Sequence, residues 1–347
     1  MYILIAILLF GLLIFIHELG HYLTARIFNV AINEFSIGMG PKLISKTSKK
    51  TGIAYSLRAL PIGGFVSMAG EDEESDNPNA FDKKPVWQRM IVTAAGSVFN
   101  ILLGIIVMFI IVLNTKVLPG TQIADFDDKA TSKNYGLQIG DIIAEIDGHD
   151  IHIAQEYSYF IGRYGYEPVD VTVIRDGERI VVPNVVFPTQ TDEASGVTFG
   201  NFDFIVYRTE KNFASVMKQS FWQSFLTIRT VVDSLADLFT GKFGVNDLSG
   251  PVGVTAVISD AAKQDAAKLW YIFVLLAMNL GVMNLLPIPA LDGGRMIVLL
   301  IELIIRRPIN KNVEGYINFV AMMILFAFMA FITIKDIGAI IGNFMEK

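Results

Sequence analysis

Hydrophobic residues gather in four long runs along this chain, at about 2–24, 90–113, 269–290 and 317–334. Each offers close to the ~20 apolar residues that a bilayer core requires, so each predicts a transmembrane helix. The stretch 213–240 has a different pattern. Lys218, Arg229, Asp233 and Asp237 interrupt it, while Phe213, Met217, Phe221, Phe225, Ile228, Val232, Leu235 and Phe239 recur at helical spacing on one side. That predicts a helix lying on the membrane surface, with a fifth span as the competing reading. Between 136 and 182 the period shortens. GLQIGDIIAEIDGHDI and VDVTVIRDGERIVV read as β-runs punctuated by Asp-Gly turns. Apolar alternation around Gly63 and Gly64 (IAYSLRALPIGGFVSMA, 53–69) predicts a hairpin loop, and the acidic run Glu71–Asp76 a solvated loop.

Composition sharpens this into a membrane protein with one polar insert. Of 347 residues 52% are hydrophobic and only 18% charged, and the net charge of −6 gives no reason to expect nucleic acid. There is no cysteine, so any metal must be held by His, Asp or Glu. The apolar start has no basic flank and no A-x-A-like cleavage site, which predicts a retained span rather than a signal peptide. Lys and Arg cluster in the loop after the first run (Arg26 to Arg58, then Lys83, Lys84 and Arg89) and between the last two runs (Arg306, Arg307, Lys311). Those loops read as cytoplasmic, which leaves the N-terminus, the insert and the C-terminus outside.

Residues 15–23, FIHELGHYL, place three ionisable side chains inside the first run. At about 1.5 Å per residue, His17 lies about 24 Å into a core about 30 Å thick. Charges at such depth are costly and usually functional. His17 and His21 stand at i and i+4 on one helix face, so both imidazoles can reach one Zn²⁺, and Glu18 beside them can take a proton from water. The bland alternative has the three side chains snorkelling at the interface or capping a polar helix contact. Catalytic zinc wants a third protein ligand. His149 and His152 fall in the insert and read as exposed loop histidines. Asp292 lies in NLLPIPALDGG (284–294), where two prolines and two glycines force a helix to unwind. Irregular backbone at membrane depth must be buried or line a cavity. With four spans, this turn and the inner end of the first run reach the same side, which favours Asp292 as a ligand over an ordinary Asp-Gly turn. Gly96, Asn100 and Gly104 form a small-polar face in the second run, suited to close helix packing and indirect support of the site.

HELGH paired with NLLPIPALDGG resembles the site-2 protease family of intramembrane zinc metalloproteases, in its bacterial regulator-of-sigma-E type. SIGMGPKL (36–43), LRALPIGGFVSMAGE (57–71) and LSGPVGV (248–254) are similar to further family segments, so the resemblance covers most of the chain. It implies one zinc per chain held by His17, His21 and Asp292, with Glu18 as catalytic base. Asn284 would hold the substrate strand or the oxyanion. The loop carrying Gly63 and Gly64 would dip into the membrane and pair with an unfolded substrate strand. Pro287 and Pro289 would present the substrate-facing turn. GL-x-x-GD-x-I-x-x-I-D-G at 136–148 resembles the PDZ domains of bacterial proteases.

The expected fold is thus a polytopic α-helical membrane protein of about four transmembrane helices, with an inserted mainly-β PDZ domain and a membrane-associated β-hairpin loop. Its parts would be 1–114 (first two spans and cytoplasmic loop), 115–188 (PDZ domain), 189–268 (linker and surface helix) and 269–347 (last two spans). The resemblance implies an endopeptidase in the bacterial cytoplasmic membrane, with its active site near the cytoplasmic side. It would cleave single-span membrane proteins such as anti-sigma factors or remnant signal peptides, the PDZ domain reading a substrate terminus or excluding bulky ectodomains. Two rivals remain. A metal or proton transporter would show internal repeats, and none is found; a PDZ-bearing scaffold would have no use for Glu18.

Overall fold

The computed structural model describes residues 2–192, 196–241 and 248–345. Among them, four helices are long and apolar enough to cross a membrane: α1 (Tyr2–Ile27), α2 (Val86–Asn114), α6 (Ala266–Asn284) and α8 (Lys311–Met345). The apolar runs predict the same four. The third ends at Asn284 rather than near 290, because Pro287 has no N–H to donate and disfavours helical backbone at the residue before it. The chain divides into two compact units, residues 1–107 with 231–347, and residues 108–230.

In the first unit, β1 (Ile32–Thr47) and β2 (Ala54–Met68) form a curled ribbon in which Ser36 pairs with Ser56 and also with Phe65. The chain turns at 48–53, closed by Ser48 and Gly52 hydrogen bonds. Gly63 and Gly64 therefore lie within β2, not at the tip of a hairpin, and Gly64 pairs with Ile37. Ala25, Val30, Ile32, Met68, Phe81 and Val92 form one apolar cluster joining the ribbon to α1 and α2. A second, of Leu13, Phe273 and Ala277, joins α1 to α6. The turn after Asn284 leads into α7 (Asp292–Ile305). The LSGPVGV segment opens α5 (Pro251–Gln264), whose first N–H groups at Gly250 and Gly253 are accepted by Asp336 of α8 at 2.9 and 2.8 Å. Glu71 departs from the expected solvated loop: its side chain is 16% exposed and ion-paired to Arg295, whereas Asp72 beside it is 85% exposed.

In the second unit a sheet runs in the order β10 (Phe204–Thr209), β3 (Leu118–Phe126), β4 (Ile142–Ile146), β6 (Val169–Arg175), β7 (Glu178–Val185), with β5 (His149–Asp150) paired to β4. A small pair, β8 (Thr189–Thr191) with β9 (Thr198–Gly200), stands apart from it. Both Asp-Gly sites are two-residue turns with positive φ at each position, Asp147-Gly148 and Asp176-Gly177, the twist that suits a tight hairpin. Helix α3 (Ala154–Tyr164) lays Tyr157, Phe160 and Ile161 on a core with Ile123, Val171 and Phe187. His149 and His152 are not loose loop residues. His149 stacks on Phe160 with ring centroids 4.7 Å apart, and His152 stacks on Trp222 at 3.4 Å.

Trp222 belongs to α4 (Phe213–Thr240), which is helical throughout and is not one of the four candidate spans. Its polar residues Gln219, Gln223, Ser224 and Thr227 are buried, while Phe213, Phe221, Phe225 and Phe239 are exposed. That is the reverse of a helix on a water-facing surface.

Candidate metal centre

Two glycines let the site form. Gly20 of α1 faces α2 so closely that a methyl group there would run into the Ala95 carbonyl. A methyl on Gly96 of α2 would run into the rings of both His17 and His21. The two imidazoles therefore lie directly over the α2 backbone, side by side one helical turn apart, with their ring centroids 4.7 Å apart.

Asp292 opens α7 and meets them. Its Oδ2 lies 3.2 Å from His17 Nε2 and 3.5 Å from His21 Nε2, and the two nitrogens are 3.2 Å apart. Four-coordinate zinc with bonds of about 2.0–2.1 Å spaces its ligand atoms about 3.3 Å from one another. The three atoms match that spacing. Both histidines are nearly buried, at 9% and 8% exposure. Three atoms that mainly accept hydrogen bonds, gathered so closely, need a shared positive charge between them.

The surrounding contacts aim the lone pairs inward. His21 Nδ1 donates to the Val92 carbonyl at 2.8 Å, so in the neutral ring the Nε2 lone pair is the one turned to the metal position. Asn100 is fully buried with its amide 3.4 Å from His17 Nδ1, and its Oδ1 has no partner as oriented. Exchanging the amide's oxygen and nitrogen lets that oxygen accept from Nδ1–H and satisfies both groups. Ser97 Oγ donates to Asp292 Oδ2 at 3.5 Å. An imidazole oriented by the Val92 carbonyl and a donor set of two imidazoles and one carboxylate fit zinc.

Glu18 points to the ribbon. Its Oε2 accepts the Val66 N–H of β2 at 3.0 Å, and a methyl on Gly64 would lie 3.7 Å from its Cγ. Gly63, at φ +82, packs under Met39. The turn carrying Pro287 and Pro289 is fixed at Ala290, whose φ is 72 and whose N–H donates to Asn318 of α8 at 3.0 Å. Gly293 and Gly294 allow this turn to fold tightly, since a methyl on either would strike the carbonyls of Leu286 or Ile288. Asn284 ends α6 and makes no hydrogen bond to the two histidines or Asp292 among the described residues.

His17, Glu18, His21 and Asp292 are legible in the motifs, and the Gly96/Asn100 face in its spacing. The Val92 carbonyl, the Val66 N–H, Ser97 and Asn318 carry no local signal, because each depends on which backbone or side chain the fold happens to bring alongside.

The profile of peptidase family M50 matches residues 5–328. A candidate zinc metalloprotease of Fusobacterium nucleatum is 35% identical over 346 residues, covering 96% of this chain and 98% of that protein. The regulator of sigma-W protease RasP of Bacillus subtilis is 29% identical, covering 95% and 97%. The zinc metalloprotease RasP of Geobacillus kaustophilus is likewise 29% identical, covering 95% and 96%. With four helices long and apolar enough to cross a membrane and a His-His-Asp cluster at zinc spacing, the chain belongs to peptidase family M50 and is a membrane-bound zinc metalloprotease.

Proposed function

We propose that this protease cleaves peptide bonds inside the transmembrane segments of single-span membrane proteins. The observation carrying this is the convergence of His17, His21 and Asp292 at 3.2–3.5 Å, with both histidines inside an apolar helix. When bound, zinc supplies a Lewis acid that polarises the scissile carbonyl and acidifies water. His17, His21 and Asp292 hold it. Glu18 takes the proton from the attacking water and returns it to the leaving amine. The Val66 N–H orients that carboxylate. The Asn284 amide donates to the developing oxyanion, or holds the substrate strand beside it.

A helical carbonyl is already hydrogen-bonded and shielded, so the substrate must unwind locally before attack. The ribbon beside Glu18 offers strand backbone around Gly63 and Gly64 on which an extended segment can pair. Pro287 and Pro289 keep the opposing turn from closing into helix. Substrates with helix-breaking residues in their spans fit this site best. Anti-sigma factors and remnant signal peptides are the substrate classes suggested by the family, and a relative's name as a regulator of a sigma factor supports the first.

The same reading treats 1–114 and 269–347 as the membrane parts, 115–188 as a PDZ domain receiving a substrate terminus, and 189–268 as a linker with α4 lying in the lipid interface. The outward apolar row of α4 supports the last of these. The basic loops would face a bacterial cytoplasm, with the N-terminus, insert and C-terminus outside.

The test is cleavage of a helix-destabilised single-span reporter by the purified protein in detergent, wild type beside Glu18→Gln, with zinc measured in both. Zinc in both and cleavage by wild type alone is the expected result. Equal cleavage by the variant, or no zinc in either, would overturn the reading.

A further inference from the structure

Apart from the metal centre, the membrane-bearing unit holds a dense charge cluster where the loop after β2 meets the head of α7. Arg295 lies one helical turn beyond Asp292. Its guanidinium donates to Glu71 Oε1 at 2.5 Å, to the Glu71 carbonyl at 2.9 Å and to Asp72 Oδ1 at 2.9 Å. It also lies 5.5 Å from the Phe81 ring centroid. Glu71 in turn accepts the Met68 N–H through its other oxygen, at 3.3 Å. Met68 is the last residue of β2, two positions after the Val66 that donates to Glu18. Lys311, at the start of α8, clasps the same loop through the carbonyls of Gly70 and Glu73 at 2.8 and 2.7 Å.

These contacts close a circuit. It runs from Asp292 to Arg295 along α7, across to Glu71, back along β2 from Met68 to Val66, and onto Glu18. We propose that Arg295 is a positioning residue for the reaction, fixing β2 against α7 so that Glu18 and Asp292 keep their spacing. This rests on the roles assigned above to those two side chains.

The chemistry of the link favours position over mere stability. A planar guanidinium satisfies two acidic side chains and a backbone carbonyl at once, which defines direction as well as distance; a lysine ammonium is a single point charge. A contrasting pair lies on the same helix. Arg89 of α2 meets Glu302 of α7 at 2.8 Å with both side chains nearly buried, yet neither is bonded to the ribbon. If buried ion pairs on α7 merely held the fold, the two pairs would behave alike. If Arg295 positions the site, only its pair will change turnover.

The experiment compares kcat and KM on the reporter for Arg295→Ala, Arg295→Lys, Glu71→Ala, the Arg295→Ala/Glu71→Ala double variant and Glu302→Gln. Zinc content is measured in each, and amide exchange over residues 66–70 in the zinc-stripped protein. The expected result for Arg295→Ala is a fall in kcat of about 10–100-fold, the range for groups that orient a site. KM and zinc content should stay within about twofold, with faster exchange at 66–70. Glu71→Ala should match it, and the double variant should be no worse than either single one, because both break one link. Arg295→Lys should fall between and serves if the alanine variant does not fold. Glu302→Gln should lower the melting temperature without this kcat loss. Wild-type kcat in both Arg295 variants, multiplying losses in the double variant, or unchanged exchange at 66–70 would each overturn the inference. Glu18→Gln in parallel separates the two levels. Cleavage by that variant removes the underlying reading, whereas an inactive Glu18→Gln beside a fully active Arg295→Ala removes only this one.

Discussion

Asp203 in the second unit and Asp292 at the head of α7 are both carboxylates held largely away from water, but their surroundings differ in kind. Asp203 accepts from the Thr131 and Ser132 N–H groups at 2.7 and 3.0 Å and from both their hydroxyls. Asp141 accepts from Gln138 N–H and from two nitrogens of Arg175 at 2.7 and 2.8 Å. Glu156 accepts the His152 and Ile153 N–H groups at the start of α3. Every one of these carboxylates is answered by donors of its own unit, as a buried charge must be if its role is to hold a fold. Asp292 has one long bond from the Ser97 hydroxyl, at 3.5 Å, and its Oδ2 otherwise faces the Nε2 atoms of two imidazoles, one of whose rings already donates through Nδ1 to the Val92 carbonyl. Saturated carboxylates define architecture; a carboxylate set among other acceptors defines a place for a cation.

The largest effect that could break this comparison comes from Asp292→Ala. It should remove zinc and lower cleavage by about four orders of magnitude or more, since the groups of such a site act as a unit. Asp203→Ala should leave both untouched. Metal analysis and reporter cleavage on the two variants decide it, and zinc retained by Asp292→Ala would place that carboxylate with the structural ones.

Gly96→Ala sharpens the same point from the other side. The added methyl has no room beneath His17 and His21, so it must displace the rings rather than remove a ligand. Zinc affinity should fall about 10–100-fold, measured by competition with a chelator, while the helix itself gains propensity from the substitution. A variant of unchanged affinity would show that the rings are not held against α2.

What the sequence reveals follows the same division. Helices α1, α2, α6 and α8 are legible because a bilayer demands a long apolar run, and no soluble alternative competes for one. The Asp-Gly hairpins are legible because a positive φ at both positions selects those residues. His17, His21 and Asp292 stand out because ionisable groups in apolar runs are expensive. Contacts made by common residues across long sequence separations are hidden. Glu71 reads as part of a solvated acidic run, since nothing local announces Arg295, 224 positions away. His149 and His152 read as loop histidines because the aromatic rings that stack on them come from α3 and α4. The curl of β1 and β2 is hidden for a related reason. One alternating pattern serves a simple hairpin and a doubly paired ribbon equally well, so Gly63 and Gly64 look like a turn when they lie within a strand.

A smaller effect tests the second unit's side of the comparison. Asp203→Ala leaves the buried Thr131 and Ser132 N–H groups without their acceptor, at a cost of about 1–3 kcal/mol. Trp222, stacked on His152 in the same unit, can report it by fluorescence during urea unfolding, once Trp87 and Trp270 are replaced by Phe. The midpoint should fall with no change in zinc content. A change in zinc would mean that this carboxylate is not confined to holding its own unit.

The smallest effect concerns a buried group that has no charge to answer. Tyr157 of α3 is 4% exposed between Phe202 and Phe204, and burial pushes its phenol up to about 12 from an ordinary value of 10.0. The folded insert therefore keeps this proton at a pH where the unfolded chain has released it. Stability contributed by the neutral phenol is present in full below about pH 10 and is lost progressively as pH rises towards 12. Near pH 11 the loss should be about 1 kcal/mol, since each unit of difference is worth 1.36 kcal/mol. Tyr157→Phe removes the ionisable group and leaves the ring, so the Trp222-reported midpoint of that variant should fall less between pH 9 and pH 11 than that of wild type. Parallel curves for the two proteins would mean that the phenol reaches water despite its packing, and that the insert's interior is less sealed than its saturated carboxylates suggest.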